Sequence, residues 1–300
     1  ISGSQVIFQG LRNLFTILAS DASLMAARAE YEQASALARL NLSLAYIEVQ
    51  KQQESVATTE IIAQRRKQQL ELVELKYKSG KEHRGAYLNA QASMAQAEAD
   101  FRQAKELLML AKLKLARQMG AELNTDFVAD KQDESIVAAE APDFKAEAMN
   151  TYEVKIYQAN LEAAKHRVMI SRGQFMPSVS ASASYGKSGD TWLPQNESWS
   201  LGVNISLPLL SGIDRFSALS QAESDLKTAE IDLADGIKDT QIKLTEKFIN
   251  LKSAEDDVNV RKKSAAAIEE RAQIADAQYE TGLMAFDNWA LIQDDLVNSR

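Results

Sequence analysis

The segments Tyr77-Lys78-Ser79-Gly80 and Tyr279-Glu280-Thr281-Gly282 lie 202 residues apart and decide the fold of this chain. Each closes a 70-residue interval rich in Ala, Leu, Glu, Gln, Lys and Arg, which are strong helix formers. A glycine directly after such a run is typical of a left-handed helix C-cap. Each segment therefore predicts the end of a long helix and a sharp turn.

The two intervals, from Gly10 to Gly80 and from Gly212 to Gly282, contain few residues that break helices. The first has no internal glycine, the second has only Gly236, and neither contains a proline. At about 1.5 Å per residue, one continuous helix of this length would span roughly 105 Å.

Sliding the chain by 202 residues brings both pairs of glycines into register without a gap. Apolar and aromatic positions between and beyond the glycines then coincide as well. The matching pairs are Leu24 with Leu226, Leu42 with Leu244, Tyr46 with Phe248, Ile47 with Ile249, Val56 with Val258, Tyr77 with Tyr279, Tyr87 with Trp289 and Gln91 with Gln293. This agreement indicates an internal duplication.

Each repeat is interpreted as a helical hairpin in which a long helix descends and a second helix returns. In the first returning arm, five leucines have helical spacing up to Gly120: Leu107, Leu108, Leu110, Leu113 and Leu115. The apolar positions are narrow and rich in alanine, which suits an antiparallel coiled coil.

Between the hairpins, residues 121–144 lack a clear pattern and are interpreted as a connector. This stretch is acidic and contains Asn124, Asp126, Asp130, Asp133 and Pro142. A further helix is predicted from about Lys145 to Ser171, closed by Gly173. Its apolar stripe consists of Val154, Ile156, Leu161, Ala164 and Val168.

Two segments with strict alternation of apolar and polar residues predict a β-hairpin. They are Ser178–Tyr185 and Ser198–Leu207, separated by a polar loop over Gly186–Ser198. Small polar residues lie on one face and apolar residues on the other. Aromatic residues fall near both ends of the hairpin, with Tyr185, Trp192 and Trp199 at one and Phe175 at the other.

This strand pattern fits either membrane-spanning strands or a hairpin of a soluble protein packed on helices. Residues Ile1–Phe8 correspond to Val203–Leu210 through the 202-residue offset, so the chain begins inside a strand of a first hairpin. Four strands per protomer cannot close a barrel, whereas an oligomer can, and open strand edges are not tolerated in lipid. These observations favour the membrane interpretation.

Composition and motifs argue against several other functions. A net charge of -8 and a pI near 5.1 do not suit nucleic-acid binding. The sequence has no cysteine, no run of about 18 apolar residues, no phosphate-binding loop and no nucleophile elbow. Its two histidines, His83 and His166, lack carboxylates at metal-ligand spacing. We expect no enzymatic activity, no cofactor and no metal.

Four features occur together in this sequence: the strand entry Gln174–Ser180, the strand-to-helix segment Trp199–Gly212, the two tips, and Gln293. In this combination the chain resembles the TolC family of outer-membrane efflux proteins. It implies a mainly α fold with a small β part, in which long coiled-coil helices form an α-helical barrel. It also implies a homotrimer that closes one transmembrane β-barrel in the outer membrane of a Gram-negative bacterium and extends into the periplasm.

In that family the tips meet a periplasmic adaptor protein and an inner-membrane transporter, and substrates pass through the duct unchanged. The implied domains are 1–9 (end of the first transmembrane hairpin), 10–120 (hairpin of repeat 1), 121–144 (connector, equatorial region), 145–173 (helix of repeat 2), 174–210 (transmembrane hairpin) and 211–300 (hairpin of repeat 2). Against the family's pattern, the first helix, the first strand and the end of the last helix are missing, so a truncated chain is expected.

Candidate site residues lie at and beyond the tips. Apolar residues flank both turns, which indicates either packing inside the hairpin or an adaptor-docking surface at Tyr77, Gly80, Tyr279 and Gly282.

The family's gate aspartates, six and nine residues past the tip glycine, are replaced in this chain. Ala86 and Asn89 occupy these places in repeat 1, and Asn288 and Leu291 in repeat 2. Asp295 lies at helical spacing from the latter two, so these three form a possible periplasmic constriction, with solvated helix surface as the other interpretation.

A different class of function fits the long helices equally well. A soluble or membrane-surface coiled-coil scaffold would have the same hairpins, with the strand pair as a minor sheet. Such a scaffold has no reason to segregate serine from Trp, Leu, Val and Ile on the strands, so the sheet faces distinguish the two interpretations.

Overall fold

A computed structural model of the chain describes residues 1–123, 128–130, 140–188, 192, 196–209 and 213–299. The chain divides into two compact units, residues 1–35 with 140–247 and residues 36–139 with 248–300. The elements in chain order are β1 (Ser2–Gln9), α1 (Arg12–Lys78), α2 (Arg84–Met119), α3 (Phe144–Asn150), α4 (Tyr152–Gly173), β2 (Ser178–Ser188), β3 (Asn196–Ser206), α5 (Asp214–Thr281) and α6 (Phe286–Asn298).

The two long helices confirm the predicted duplication. Helix α1 has 67 residues and α5 has 68, and their first residues lie 202 positions apart. Both end just before the tip glycines, where Gly80 has φ +71° and Gly282 has φ +82°. The predicted equivalence of Gly10 with Gly212, and of Phe8 with Leu210, involves residues outside those described. No helix among the described residues is long and apolar enough to span a membrane.

Helices α1 and α2 pack along a heptad seam in the second compact unit. On α2 the seam alternates a small residue with a larger one, as Ala97, Phe101, Ala104, Leu108, Ala111 and Leu115, all buried or half-buried. Near the tip the core joins Val73 to Ala86, and toward the other end of the hairpin it joins Val49 to Ala111 and Leu115. The small residues permit close approach of antiparallel helices.

The predicted leucine stripe of α2 is only partly correct. Leu108 and Leu115 lie in the seam, whereas Leu107 and Leu110 are exposed. Leucines at 107, 108 and 110 occur at spacings that no single helix face accommodates, and the alanine positions decide which face is buried.

The connector is attached to α1 by a glutamine side chain. Ala129 N donates to Gln53 Oε1 at 2.9 Å, and Gln53 Nε2 donates back to Ala129 O at 3.3 Å. Tyr46 Oη adds a bond of 3.0 Å to Asp130 O. Asn124, Asp126 and Asp133 of the predicted connector lie outside the described residues.

The single helix predicted over residues 145–171 is two helices. The break is at Thr151, whose extended backbone (φ -69°, ψ 152°) and side chain, accepting from Val154 N, form the N-cap of α4. Threonine caps helices well because its hydroxyl replaces a missing backbone acceptor. Helix α4 buries Val154, Ala164 and Val168 of the predicted stripe, and Ile156 and Leu161 are half-buried.

Gly236, the one internal glycine of α5, is explained by helix packing in the first compact unit. A Cβ atom at this position would lie 2.5 Å from the ring of Tyr157 on α4. The glycine therefore permits a contact between helices that any larger residue would obstruct.

The strands form a three-stranded antiparallel sheet in the order β1-β2-β3. Strands β2 and β3 are each 11 residues long and extend beyond the predicted ends, through Ser188 and back to Asn196. The predicted loop over Gly186–Ser198 is therefore too long. The alternation was missed in this part because charged residues, Lys187 and Glu197, occupy the positions where apolar residues were expected. These two residues face each other and form an ion pair across the strands.

Candidate functional site

The sheet of the first compact unit separates apolar from polar side chains, as predicted. In register, Tyr185 opposes Trp199, Ala183 opposes Leu201, Ala181 opposes Val203 and Val179 opposes Ile205. Because side chains alternate between the faces of a strand, these pairs share one face and the intervening serines the other. The hydroxyls of Ser184 and Ser200 are 2.8 Å apart on the polar face.

The apolar face of β3 is unusually exposed. Trp199, Leu201, Val203 and Ile205 are 79%, 75%, 68% and 70% exposed. The ion pair of Lys187 and Glu197 lies on this face beyond the aromatic pair. A continuous apolar surface with charges only beyond its aromatic end is the arrangement expected of lipid-facing strands.

Phe175, predicted as the aromatic residue at the other end of the hairpin, lies in the turn between α4 and β2. Its ring packs against Phe216 of α5 with centroids 5.2 Å apart. Trp192, predicted as one of the aromatic residues at the opposite end of the hairpin, is 97% exposed.

The tip of repeat 1 is held by an aromatic stack. Tyr77, the penultimate residue of α1, stacks on Tyr87 of α2 with centroids 5.5 Å apart and ring planes 7° apart. His83 is the N-cap of α2, where its Nδ1 accepts from Ala86 N at 3.1 Å. Gly80 lies between these residues in the turn.

The tip of repeat 2 is also held by an aromatic stack, at the equivalent positions. Tyr279 stacks on Trp289 with centroids 4.3 Å apart and ring planes 11° apart, and Phe286 lies against both rings. Leu283 follows Gly282 and is 83% exposed. The duplication therefore extends to the aromatic pair that closes each turn.

A shared core in the second compact unit joins the two tips. Tyr279 is only 2% exposed, its hydroxyl donates to Glu82 Oε2 at 3.1 Å, and Lys76 Nζ lies 3.8 Å above its ring. Lys76 also donates to the Tyr279 carbonyl. Burial, reinforced by the Glu82 carboxylate, raises the pKa of Tyr279.

A chain of hydrogen bonds connects α5 and α6 of repeat 2 to α1 of repeat 1. Asp276 Oδ1 accepts from Trp289 Nε1 at 2.7 Å and from Gln293 Nε2 at 2.9 Å. Gln293 Oε1 accepts from Gln69 Nε2 at 2.8 Å.

The same chain continues through Gln69 Oε1, which accepts from Arg66 Nη1 at 3.1 Å. Arg66 Nη2 in turn donates to Asp294 at 2.6 Å. This network was not predicted from the sequence. The available signal was Arg66, a cation that lies between Ala63 and Leu70 at heptad positions of α1 and whose side chain is only 11% exposed.

The predicted constriction residues lie together on one surface of α6. Asn288, Leu291 and Asp295 are all exposed, and Leu291 is 64% exposed. Asp295 forms an ion pair of 3.5 Å with Arg271 of α5. The three side chains therefore share a face, opposite the buried Trp289 and Gln293.

Neither histidine lies in a cluster suited to metal binding. His83 caps a helix, and the ring of His166 stacks on Phe15 with centroids 6.1 Å apart. Among the described residues, no group of three His, Asp or Glu side chains could hold a metal ion.

The fold combines long helical hairpins with strands of the membrane type, and comparison with known proteins identifies the family. The model of the outer membrane efflux protein family matches residues 1–121 and 148–288. The chain belongs to the outer membrane efflux protein family.

Solved structures share this fold at low sequence identity. VceC, an outer membrane protein of Vibrio cholerae, is 22% identical with a TM-score of 0.81, over 99% of this chain and 72% of VceC. The outer membrane channel CmeC of Campylobacter jejuni is 16% identical with a TM-score of 0.85, over 99% of this chain and 65% of CmeC.

A curated relative matches a shorter stretch of the sequence. The alkaline protease secretion protein AprF of Pseudomonas aeruginosa is 31% identical over 84 residues. The match spans 27% of this chain and 18% of AprF.

Proposed function

We propose that this chain forms part of an outer-membrane exit duct of a tripartite efflux pump or a type I secretion system. Three copies would close one transmembrane β-barrel and continue it as an α-helical barrel in the periplasm. Family membership supports this proposal, and the observation that carries it is the register of β2 and β3. That register leaves a serine face for an aqueous lumen and an apolar face for lipid.

The sheet also suits the proposed assembly in its dimensions and edges. Strands of 11 residues match the roughly 9 to 11 residues of a tilted membrane-spanning strand. Among the described residues β1 and β3 are the edge strands. Pairing of β3 with a neighbouring copy, and of β1 with the first strand of the family's pattern, would satisfy their outer backbone groups.

Adjacent residues of β3 provide a matched test of the two faces. Arginine in place of Leu201 would face lipid and cost up to about 2 to 4 kcal/mol, whereas arginine in place of Ser200 would face the lumen. We expect Leu201→Arg to abolish heat-labile trimers in outer-membrane fractions, and Ser200→Arg to retain them. Equal tolerance of both variants, or a wild-type protein that is monomeric and soluble without detergent, would refute the duct and favour a scaffold.

We further propose that the two tips dock on a periplasmic adaptor, which links the duct to an inner-membrane transporter. Gly80 and Gly282 have open space where a Cβ atom would lie, so a partner backbone can approach closely. Tyr77 and Leu283 add exposed apolar surface, whereas Tyr279 stabilises the tip from inside.

A glycine outside the tips serves as control for docking. Gly282→Arg introduces a bulky cation at a positive φ, and Gly120→Arg does the same at φ +68° with equally open space. Both substitutions carry the same backbone strain of roughly 1 to 2 kcal/mol. We expect only Gly282→Arg to abolish adaptor crosslinking while trimers persist, and equal crosslinking in both variants would refute docking at this tip.

Within the proposed duct, Asn288, Leu291 and Asp295 form the periplasmic constriction, through which substrates pass without chemical change. The single exposed surface that these residues share on α6 supports this assignment. The domains then act as transmembrane strands (1–9 and 174–210), periplasmic hairpins (10–120 and 211–300), an equatorial connector (121–144) and a supporting helical segment (145–173).

A further inference from the structure

The two repeats carry equivalent faces at their tips, but only one of these faces is covered within the chain. The repeat-2 tip face consists of Tyr279, Trp289, Gln293 and Leu296, and each of these residues is at most 3% exposed. The 202-residue offset assigns the equivalent repeat-1 tip face to Tyr77, Tyr87, Gln91 and Met94. These four are half-buried or exposed.

The repeat-2 tip face is covered by α1 of repeat 1. Gln69 donates to Gln293, and Lys76 lies over the Tyr279 ring and donates to its carbonyl. Leu72, between them on the same side of α1, packs against the shared core. Together, Gln69, Leu72 and Lys76 form the covering surface.

The equivalent covering surface of repeat 2 is available on α5. Its residues are Arg271, Ile274 and Gln278, equivalent to Gln69, Leu72 and Lys76. Arg271 and Ile274 are exposed, with 52% of Ile274 accessible, and Gln278 is half-buried. Within the chain Arg271 Nη1 lies 3.5 Å from Asp295, and the guanidinium has further N–H groups for a second partner. One chain therefore has one unmatched face and one unmatched covering surface.

We infer that the repeat-1 tip face of one protomer binds Arg271, Ile274 and Gln278 of a second copy of this chain. A contact between two different surfaces of identical chains closes into a ring under rotational symmetry. This inference rests on the proposed duct, because it requires several copies side by side.

The inferred contact between chains can form the same kind of hydrogen bond as the contact between Lys76 and Tyr279 within the chain. Tyr279 O accepts from Gly282 N at 3.1 Å as well as from Lys76, and Tyr77 O accepts from Gly80 N at 3.0 Å. A carbonyl has two lone pairs, so the Gln278 amide can donate to Tyr77 O as Lys76 does to Tyr279 O.

Two further contacts would complete the interface. The Arg271 guanidinium can donate to the side-chain oxygen of Gln91, as Gln69 does to Gln293. Ile274 would supply apolar contact beside the tyrosine stack.

Site-directed crosslinking tests this contact, since the chain has no cysteine. Gln91→Cys and Arg271→Cys would be introduced into differently tagged full-length chains, expressed together and treated in membranes with a short thiol-specific bifunctional reagent. We expect a covalent dimer that carries both tags. Gln273→Cys, on another side of α5, replaces Arg271→Cys as the matched negative control.

The outcomes separate this inference from the proposed function. Selective linkage of residues 91 and 271 between chains supports the interface. Intact trimers without that linkage, or with equal linkage to residue 273, overturn the interface and leave the duct in place. A chain that forms no oligomer overturns both.

Discussion

Removing the carboxylate of Asp276 is expected to loosen the tip of repeat 2 selectively. Asp276 Oδ1 accepts from Trp289 Nε1 at 2.7 Å and from Gln293 Nε2 at 2.9 Å, and both donor residues are buried. Asp276→Ala leaves two buried donors without their shared acceptor. Gln293 also loses the contact that orients its amide toward Gln69.

The size of the effect follows from the two orphaned donors. An unsatisfied buried donor costs about 1 to 3 kcal/mol, and the half-buried position of Asp276 lets water compensate in part. We therefore expect a loss of about 2 to 4 kcal/mol in the free energy of local opening. This corresponds to a faster exchange of α6 amide hydrogens by roughly 30-fold to several hundred-fold.

The internal duplication supplies the control for this experiment. Glu74 is equivalent to Asp276, but it pairs with Lys78 on the helix surface at 2.7 Å. An exposed pair of this spacing contributes about 0.3 to 0.5 kcal/mol, so Glu74→Ala should accelerate exchange by less than about threefold. Hydrogen exchange of detergent-solubilised trimers, followed by mass spectrometry of peptides over α2 and α6, measures both. Similar acceleration in the two variants would refute the reasoning.

Three further predictions concern single contacts. Because the pKa of Tyr279 is raised, the free energy of tip opening should stay constant up to about pH 10 and fall above it. Hydrogen exchange measures this free energy, and Tyr279→Phe should remove its decline. Gly236→Ala should lower the thermal unfolding temperature despite alanine's higher helix propensity, because a Cβ at position 236 meets the ring of Tyr157. Tyr157→Ala in the same chain should restore the unfolding temperature, and additive effects of the two substitutions on that temperature would contradict the clash. Gln53→Ala should make the chain more sensitive to limited proteolysis near Ala129, which it holds through two hydrogen bonds, and unchanged cleavage would count against this attachment.

Sequence periodicity predicted the elements that depend on local chemistry. The tip glycines, the long helices and the faces of β2 and β3 follow from backbone conformation and alternation, which neighbouring residues determine. The break at Thr151 was missed because apolar spacing continues across it, and only the capping hydroxyl marks it. The buried faces of α2 depended on which partner helix lay opposite, so leucine spacing alone identified them incompletely.

The tip network could not be predicted because it joins residues more than 200 positions apart. In the sequence, Gln69 and Gln293 are each an ordinary polar residue of a helical segment. Their proximity depends on the packing of repeat 2 against repeat 1, which no local pattern encodes. The duplication did predict that Tyr77 and Tyr279 occupy equivalent positions, although it did not show which of them is buried.

The differences between the repeats follow from when each tip face becomes covered. The repeat-2 tip face is buried as soon as the chain folds, so it can carry the large apolar Trp289 and Leu296. The inferred repeat-1 interface stays open to water until a second copy arrives, and its equivalent residues are the more polar Tyr87 and the more adaptable Met94. Tyrosine presents an aromatic ring for docking with less apolar surface than tryptophan, which limits association with incorrect partners before assembly. Exchanging these residues for those of repeat 2, as Tyr87→Trp with Met94→Leu, should therefore increase aggregation of unassembled chains while preserving the linkage between residues 91 and 271.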